Sequence, residues 1–255
     1  MLRTWFSRSH SGLHELAALA VLYGLYEVVR GAPGENVGKA MRHTAEIVSL
    51  EQSAGIYVEH GVQEALEAVP GVPMLLGLAY LSLHFAGTAA ALVWVHRRHP
   101  DRFPLIRTTV VAATALALVG YVLYPAAPPR LADLGFQDTV TTSAGLNLSS
   151  DLLGALYNPF AAVPSLHFGY ALIVGATLVT LASSRIVRIA GVVYPFAMLI
   201  VIVATGNHFL FDAALGGIVV VAGWLVALLL VEEPARHGAA ERRPRREERR
   251  APCVQ

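Results

Sequence analysis

The sequence has few charged residues and a single cysteine, and each shortage excludes a class of protein. Only 15% of the 255 residues are charged, whereas an average soluble domain has about 25%. One thiol, Cys253, excludes an intramolecular disulfide and a thiolate metal cluster. The formal net charge of +1 says little about partners, and no nucleic-acid partner is expected.

Apolar residues are abundant, at 55% of the chain, and they are concentrated in runs. Runs of about 20 residues match the length that crosses roughly 30 Å of hydrocarbon. We therefore predict an all-α polytopic membrane protein, with residues 1–231 forming one membrane-embedded domain and residues 232–255 a basic, disordered tail. The six predicted spans are residues 12–30, 73–95, 105–124, 161–182, 186–205 and 208–231.

Arginine placement predicts the orientation of these spans, because cytoplasmic loops are enriched in basic residues. If the N-terminus is cytoplasmic, the inside segments hold two, four, two and seven arginines in chain order. The outside then keeps Arg30, Lys39, Arg42 and Arg130. This orientation places the starts of the fourth and sixth spans at the external face and the tail in the cytoplasm.

Two segments between the spans have patterns of their own. Residues 34–70 carry apolar positions at helical spacing with glutamates between them, which predicts amphipathic helices on the membrane surface or capping the bundle. Glu51 and Glu59 are interpreted as solvated helix faces rather than metal ligands. Residues 125–160 begin with a proline-rich stretch and lead into Pro164, where they could form a lid. His84, in the second span, is interpreted as hydrogen-bonded to a neighbouring helix.

A serine and a histidine mark the start of the fourth span. Pro164 suits the opening turn of a helix, and Ser165 could cap that helix or donate to a phosphoryl oxygen. The amides near Leu166 and His167 would bind the same group. His167 lies one turn down, where it could protonate a leaving oxygen, since histidine titrates near neutral pH.

A second pair of ionisable residues marks the start of the sixth span. Gly206 is expected to end the fifth helix, and Asn207 to cap the sixth and to help bind the substrate phosphate. His208 and Asp212 are four residues apart and share a helix face. A carboxylate on one imidazole nitrogen leaves the other nitrogen free to attack, and the product would be a phosphohistidine. The fourth and sixth helices would then present two N-termini to one phosphate.

Arg130 is the expected cation of this site. Phosphoryl transfer needs positive charge on the equatorial oxygens, and a guanidinium can bind phosphate with two parallel hydrogen bonds. No acidic cluster suitable for magnesium occurs on this side of the chain, so we expect no metal and no other cofactor. Either histidine motif alone is more often structural, but together with Pro128-Pro129-Arg130 they favour catalysis.

These residues resemble the motifs of a known family, the type 2 phosphatidic acid phosphatase superfamily, and most of all its branch that includes inositol phosphorylceramide synthase. The motifs are Tyr124-Pro125-x-Ala127-Pro128-Pro129-Arg130, Pro164-Ser165-Leu166-His167, and His208-x3-Asp212 with Gly216. The resemblance covers roughly residues 120–220 and the six-span plan. It implies a metal-independent transfer with His208 as nucleophile, His167 as acid and Asp212 as partner of the nucleophile.

Two positions depart from the common pattern of that superfamily. Leu166 replaces its usual glycine, as in the synthase-like branch, and Ile202 stands where an arginine is usual. A phosphodiester or pyrophosphate therefore remains an alternative donor to a phosphomonoester.

The sequence thus predicts an integral-membrane lipid phosphatase or phosphotransferase, acting through a phosphohistidine on a lipid-linked phosphate at the external leaflet of the plasma membrane. Its expected partners are a phosphorylated lipid and the surrounding membrane lipids. Water would make the reaction a hydrolysis, and a polyol or sugar would make it a transfer. The alternatives are a non-catalytic lipid-phosphate binding protein or transporter and, third, a structural membrane subunit.

Overall fold

The computed structural model describes residues 37–143 and 160–231, together with five helical positions between residues 13 and 24. Within these residues the chain forms helices and no strand, which confirms the all-α class. The first predicted span, apart from those five positions, lies outside the described residues, as do residues 144–159 of the predicted lid and the tail from residue 232.

Two amphipathic helices and a membrane bundle make up the described chain. The amphipathic helices are α1 (Val37–Ser53) and α2 (Glu59–Glu67). The remaining helices are α3 (Val72–Arg98), α4 (Phe103–Leu123), α5 (Thr139–Ser143), α6 (Leu166–Leu181), α7 (Arg185–Ala204) and α8 (Leu210–Leu230). A 3₁₀ turn, Pro129–Leu131, follows α4.

Four of the described helices, α3, α4, α7 and α8, are long and apolar enough to cross a membrane. They match four of the predicted spans to within a few residues and indicate an integral membrane protein. Helix α6 is apolar but has only 16 residues, or about 24 Å of helix at 1.5 Å per residue. It is shorter than predicted because the helix begins only at Leu166, with residues 161–165 outside it.

The transmembrane helices pack so that one end of the bundle gathers the polar residues. Helix α7 packs along α6, and α8 packs against α4 and α6. The core between them is aliphatic, with Met198, Ile202 and Ala213 almost fully buried. The N-termini of α6 and α8 and the C-termini of α4 and α7 therefore lie at the same end. The short loops between successive helices predict this antiparallel arrangement.

Helices α1 and α2 cap this end of the bundle, which is one of the two arrangements that their amphipathic pattern predicts. Thr44 of α1 donates its hydroxyl to the carbonyl of Ala127 (3.0 Å) and accepts from the amide of Ala127 (2.9 Å). His43 stacks on Tyr124, with ring centroids 3.9 Å apart, and its Nδ1 lies 2.8 Å from the carbonyl oxygen of Pro125. The proline-rich stretch is thus held against α1.

Helix α2 is tied to the other loops at this end through one side chain. The side-chain nitrogen of Gln63, Nε2, donates to the backbone carbonyls of Gln137 and Ala204, each at 3.1 Å. Its Oε1 accepts from the backbone amide of Gln137 at 2.8 Å. A single buried glutamine therefore joins α2, the segment before α5 and the end of α7.

Candidate active site

His208 and Asp212 meet at the start of α8, as their spacing predicts. His208 Nδ1 lies 3.3 Å from Asp212 Oδ2, and both side chains are buried. The same oxygen accepts from the backbone amide of Phe209 at 2.9 Å. Asp212 therefore caps its own helix and also orients the imidazole, which leaves His208 Nε2 as the nitrogen available for attack.

The turn before His208 differs from the prediction in one respect. Gly206 has a φ of 65°, the left-handed conformation that commonly follows a helix end, as predicted. Asn207, however, is not the N-cap of α8, because the helix begins at Leu210 after Phe209. The amides of Asn207 and His208 both donate to the carbonyl of Ile202, at 3.1 Å. These bonds close a turn after the end of α7, and α8 begins only beyond it.

The amides at the start of α8 are occupied by carboxylates. Phe209 N–H donates to Asp212, Leu210 N–H to Glu59 at 2.9 Å, and Phe211 N–H to Glu51 at 2.7 Å. The prediction that this helix N-terminus would help to cradle a phosphate is therefore wrong. The interpretation of Glu51 and Glu59 as solvated is wrong too, since both are 0% exposed. The charge of a helix start explains why acids are drawn there.

The start of α6 keeps the features that an anion site needs. Ser165 is the N-cap, and its hydroxyl oxygen accepts from the amide of Phe168 at 3.4 Å, so Pro164 precedes the helix rather than opening it. The Leu166 and His167 amides occupy the first two helical positions, where no preceding turn supplies an acceptor. The backbone amide of Ser165 donates to the carbonyl of Asp212 at 2.9 Å, which joins the two helix starts directly.

His167 faces the proposed nucleophile. The ring centroids of His167 and His208 are 5.5 Å apart, with the planes inclined by 55°. Tyr80 of α3 also stacks on His167, at 4.4 Å. The structure therefore brings together the two histidines, one from each helix start.

His84 is a residue of this site that sequence reasoning did not assign to it. Its ring lies 4.3 Å from that of His167 and 5.2 Å from that of Tyr170. Its Nδ1 is buried with no hydrogen-bond partner among the described residues, so the expected bond to a neighbouring helix is not seen at this nitrogen within that part of the chain. A signal was present in the sequence, because Tyr80 and His84 are four residues apart and share one face of α3.

Arg130 is hydrogen-bonded to the turn that precedes His208, at Asn207 and Gly206. Its Nε donates to Asn207 Oδ1 at 2.9 Å, and its backbone amide donates to the carbonyl of Gly206 at 2.9 Å. Its Nη1 also forms an ion pair with Asp138 at 2.9 Å. The guanidinium is thus held in a fixed orientation, and Asn207 serves to position Arg130 rather than to start a helix.

A close crossing of α6 and α8 beneath the site depends on Gly216. A Cβ at this position would collide with the backbone carbonyl of Ser165, whereas one at Gly217 would make ordinary contacts with Leu172 at 3.5 Å and Phe168 at 4.0 Å. We expect Gly216→Ala to displace α8 from the Ser165 cap and to cost about 1–3 kcal/mol of stability, as overpacking usually does.

The matched variant Gly217→Ala adds the same methyl group one residue later and is the control. Both should be purified in detergent and compared by thermal unfolding and by phosphate release. Equal melting temperatures and equal activities for the two variants would contradict the close crossing.

Among the described residues, no group of three or more histidine, cysteine, aspartate or glutamate side chains could hold a metal ion. The arrangement instead offers a nucleophilic imidazole with an orienting carboxylate, a second imidazole facing it, an oriented guanidinium and the amides of one helix start. This set is suited to transfer of a phosphoryl group.

Comparison with known proteins agrees with this chemistry. A family model described as the PAP2 superfamily matches residues 45–227, which include α2 to α7, nearly all of α8 and every site residue named above. No curated protein and no solved structure matches the chain. Membership of this family indicates phosphatase or phosphotransferase activity on lipid phosphates. Because the match covers well over half of the sequence, the chain belongs to the PAP2 superfamily.

Proposed function

We propose that the protein is a lipid phosphatase or phosphotransferase that works through a phosphohistidine on His208. The observation that carries the proposal is the buried His208–Asp212 pair, 3.3 Å apart, facing the His167 ring across 5.5 Å. A carboxylate on Nδ1 stabilises the positive charge that develops when Nε2 attacks. This is the arrangement of an activated nucleophile with an acid opposite it.

In the first step, His208 Nε2 attacks phosphorus, and the bond from phosphorus to the lipid oxygen breaks. His167 gives a proton to the departing oxygen, so that a neutral alcohol leaves. In the second step, the acceptor hydroxyl loses its proton to His167 and attacks the phosphohistidine, which releases His208. Arg130, Ser165 and the amides of Leu166 and His167 hold the phosphoryl oxygens throughout.

A non-catalytic lipid-phosphate binding protein or transporter is the alternative, and the pairing of Arg130 with Asp138 argues against it. A site that only binds a phosphate gains affinity from cations whose charge is not already balanced. Here the guanidinium is partly neutralised by Asp138, and the site also holds a buried imidazole with its carboxylate. That pair adds little to binding an anion but is needed for attack on one.

The location and the substrate of the reaction follow from the sequence rather than from the site. The arginine distribution favours the external leaflet of the plasma membrane and a cytoplasmic tail. The Pro-Ser-Leu-His motif favours the synthase-like branch, and a transfer to a polyol or sugar would then compete with hydrolysis. Detergent-solubilised protein should therefore be assayed for phosphate release from lipid phosphates, with and without an added polyol such as inositol.

The role of His167 as acid predicts a dependence on the leaving group. We expect His167→Asn to lower the rate with a lipid phosphate by about 10²- to 10⁴-fold, the usual contribution of general acid catalysis. With para-nitrophenyl phosphate the first step should lose far less, because nitrophenolate leaves without a proton. Rates of the first step for the two substrates, measured as alcohol or nitrophenolate released in a single turnover, give the comparison.

Tyr170→Phe is a suitable control for this experiment, because it changes a ring on the same helix and removes only a hydroxyl hydrogen-bonded to Thr114. Its losses with the two substrates should be equal. If His167→Asn also lost the same factor with both substrates, His167 would not be the acid.

A further inference from the structure

Two buried glutamates of the cap, Glu51 on α1 and Glu59 on α2, hold the helix that carries the nucleophile. Their Oε1 atoms accept from the amides of Phe211 and Leu210, at 2.7 and 2.9 Å. Both residues are 0% exposed. Outside this pair, the described residues include no hydrogen-bond partner for either Oε2 atom. If both carboxyl groups were ionised, neither would carry a hydrogen to donate to the other. The arrangement therefore calls for one proton on the pair.

A proton on one of the two acids satisfies both orphaned oxygens. The carboxyl groups lie close enough for a side-chain hydrogen bond between them. Burial, followed by that bond and by the negative charges of Glu59 and Asp212, raises the pKa of Glu51 to about 8, although the bond from the Phe211 amide acts in the opposite direction. Glu51 is therefore protonated at neutral pH.

Two further acidic groups face the pair, Tyr57 and Asp212. Burial, together with the charges of Glu59 and Glu51, raises the pKa of Tyr57, so this phenol stays neutral when Glu51 ionises. His208 stands behind Asp212 and contacts its Oδ2, whereas the Oδ1 of Asp212 has no partner among the described residues. Ionisation of Glu51 would thus place a third negative charge at the base of the nucleophile pair.

We propose that Glu51 and Glu59 share one proton and act as positioning residues, which hold the first turn of α8 so that Asp212 and His208 keep their alignment. Three successive amides, of Phe209, Leu210 and Phe211, are each held by a different carboxyl group. Only the first of these groups belongs to α8. The α1–α2 cap therefore controls the orientation of the nucleophile from outside the membrane. The catalytic part of this inference rests on the proposed function of His208.

The change of stability with pH that the shared proton causes has a defined sign. The ordinary pKa of a glutamate is 4.5 and that of Glu51 in the folded protein is about 8, so the folded state holds a proton that the unfolded state has lost. Between these values the hold of the cap on α8 weakens as the pH rises. Above pH 8 the two carboxylates repel each other, and we expect the α8 start to loosen and the activity to fall.

The hold of Glu51 and Glu59 on the first turn of α8 is called the clamp below. Three variants test it in the full-length protein. Glu51→Gln keeps an acceptor for Phe211 and a donor for Glu59, so it mimics the protonated acid and should remain within about twofold of wild type at neutral pH. Glu51→Ala removes both and should lower kcat about ten- to a hundred-fold with little change in KM, because misplaced groups cost rate rather than binding. Glu64→Gln, an exposed acid on α2, is the control and should change neither.

The pH dependence of phosphate release separates positioning from simple packing. Above about pH 8, wild type and Glu64→Gln should lose more activity than Glu51→Gln, because residue 51 cannot ionise in that variant. If Glu51→Gln lost activity above pH 8 exactly as wild type does, the shared proton would be ruled out. Dependence of the wild type on an added divalent cation, lost in Glu51→Gln, would also overturn the proposal, since it would make the pair a cation site.

Hydrogen exchange tests the clamp without using the activity. The amides of Leu210 and Phe211 should exchange slowly in wild type and in Glu51→Gln, and faster in Glu51→Ala, after correction for the intrinsic effect of pH. Equal protection in all variants would overturn the clamp. If protection changes as expected but no variant, including wild type, releases phosphate from any lipid, the clamp stands and the proposed function fails.

Discussion

Replacing His208 with alanine is expected to abolish turnover. The nucleophile forms the covalent intermediate, and no other group among the described residues both faces His167 and carries an orienting carboxylate. Loss of a nucleophile that works as one unit with its partners costs many orders of magnitude, so we expect a fall of at least about 10³-fold in kcat. Phosphate release from a detergent-dispersed lipid phosphate is the direct measurement.

Trapping of the intermediate makes this test specific for mechanism. A substrate labelled in its phosphoryl group, quenched under alkaline denaturing conditions where phosphohistidine survives, should label wild type but not His208→Ala. His96→Ala is a fitting control, because His96 lies in the last turn of α3 at the other end of the bundle. Undiminished turnover, or label retained in His208→Ala, would show that His208 is not the nucleophile.

Replacing Asp212 with asparagine is the second change with a large expected effect. The asparagine oxygen can still accept from the Phe209 amide, which preserves the cap of α8. Because the same oxygen contacts His208 Nδ1, the asparagine NH₂ group would take the place of Oδ1, and the imidazole would keep its orientation but lose the negative charge that stabilises the cation formed on attack. In a hydrolase triad the same substitution lowers kcat by about 10⁴, and we expect a large loss here as well.

The fold should survive this substitution, so the effect is separable from unfolding. Thermal unfolding of Asp212→Asn should stay close to that of wild type, whereas Asp212→Ala should be less stable, since it leaves a buried amide without its acceptor. Asp101→Asn, an exposed acid at the opposite end of the bundle, serves as the control for activity. Activity of Asp212→Asn near that of wild type would exclude a role for the negative charge of Asp212.

The two predictions concern neighbouring atoms, yet they differ in what the sequence could say about them. The spacing of His208 and Asp212 predicts that they share a helix face, and the structure confirms the contact. The spacing does not show that Asp212 also caps the helix, because the start of α8 was placed two residues too early. A cap depends on where the backbone leaves the preceding turn, which here follows from the bonds of residues 207 and 208 to Ile202.

The sequence predicts the long apolar runs, the amphipathic segment and the three motifs, because each depends only on residues that are close to one another along the chain. Hydrophobic length predicts a membrane helix, helical spacing predicts a shared face, and short loops predict antiparallel neighbours. The sequence by itself therefore determined the all-α membrane class, four spans to within a few residues, and the family to which the chain belongs.

Only the tertiary structure decided which groups meet and which acids are buried. Glu51 and Glu59 look like solvated positions of an amphipathic helix, but a helix start from more than 150 residues away supplies them with amide donors. His84 looks like an isolated polar residue in a span, but packing of α3 against α6 sets its ring against His167. Burial of a polar group depends on partners distant in sequence, and that information exists only once the chain has folded.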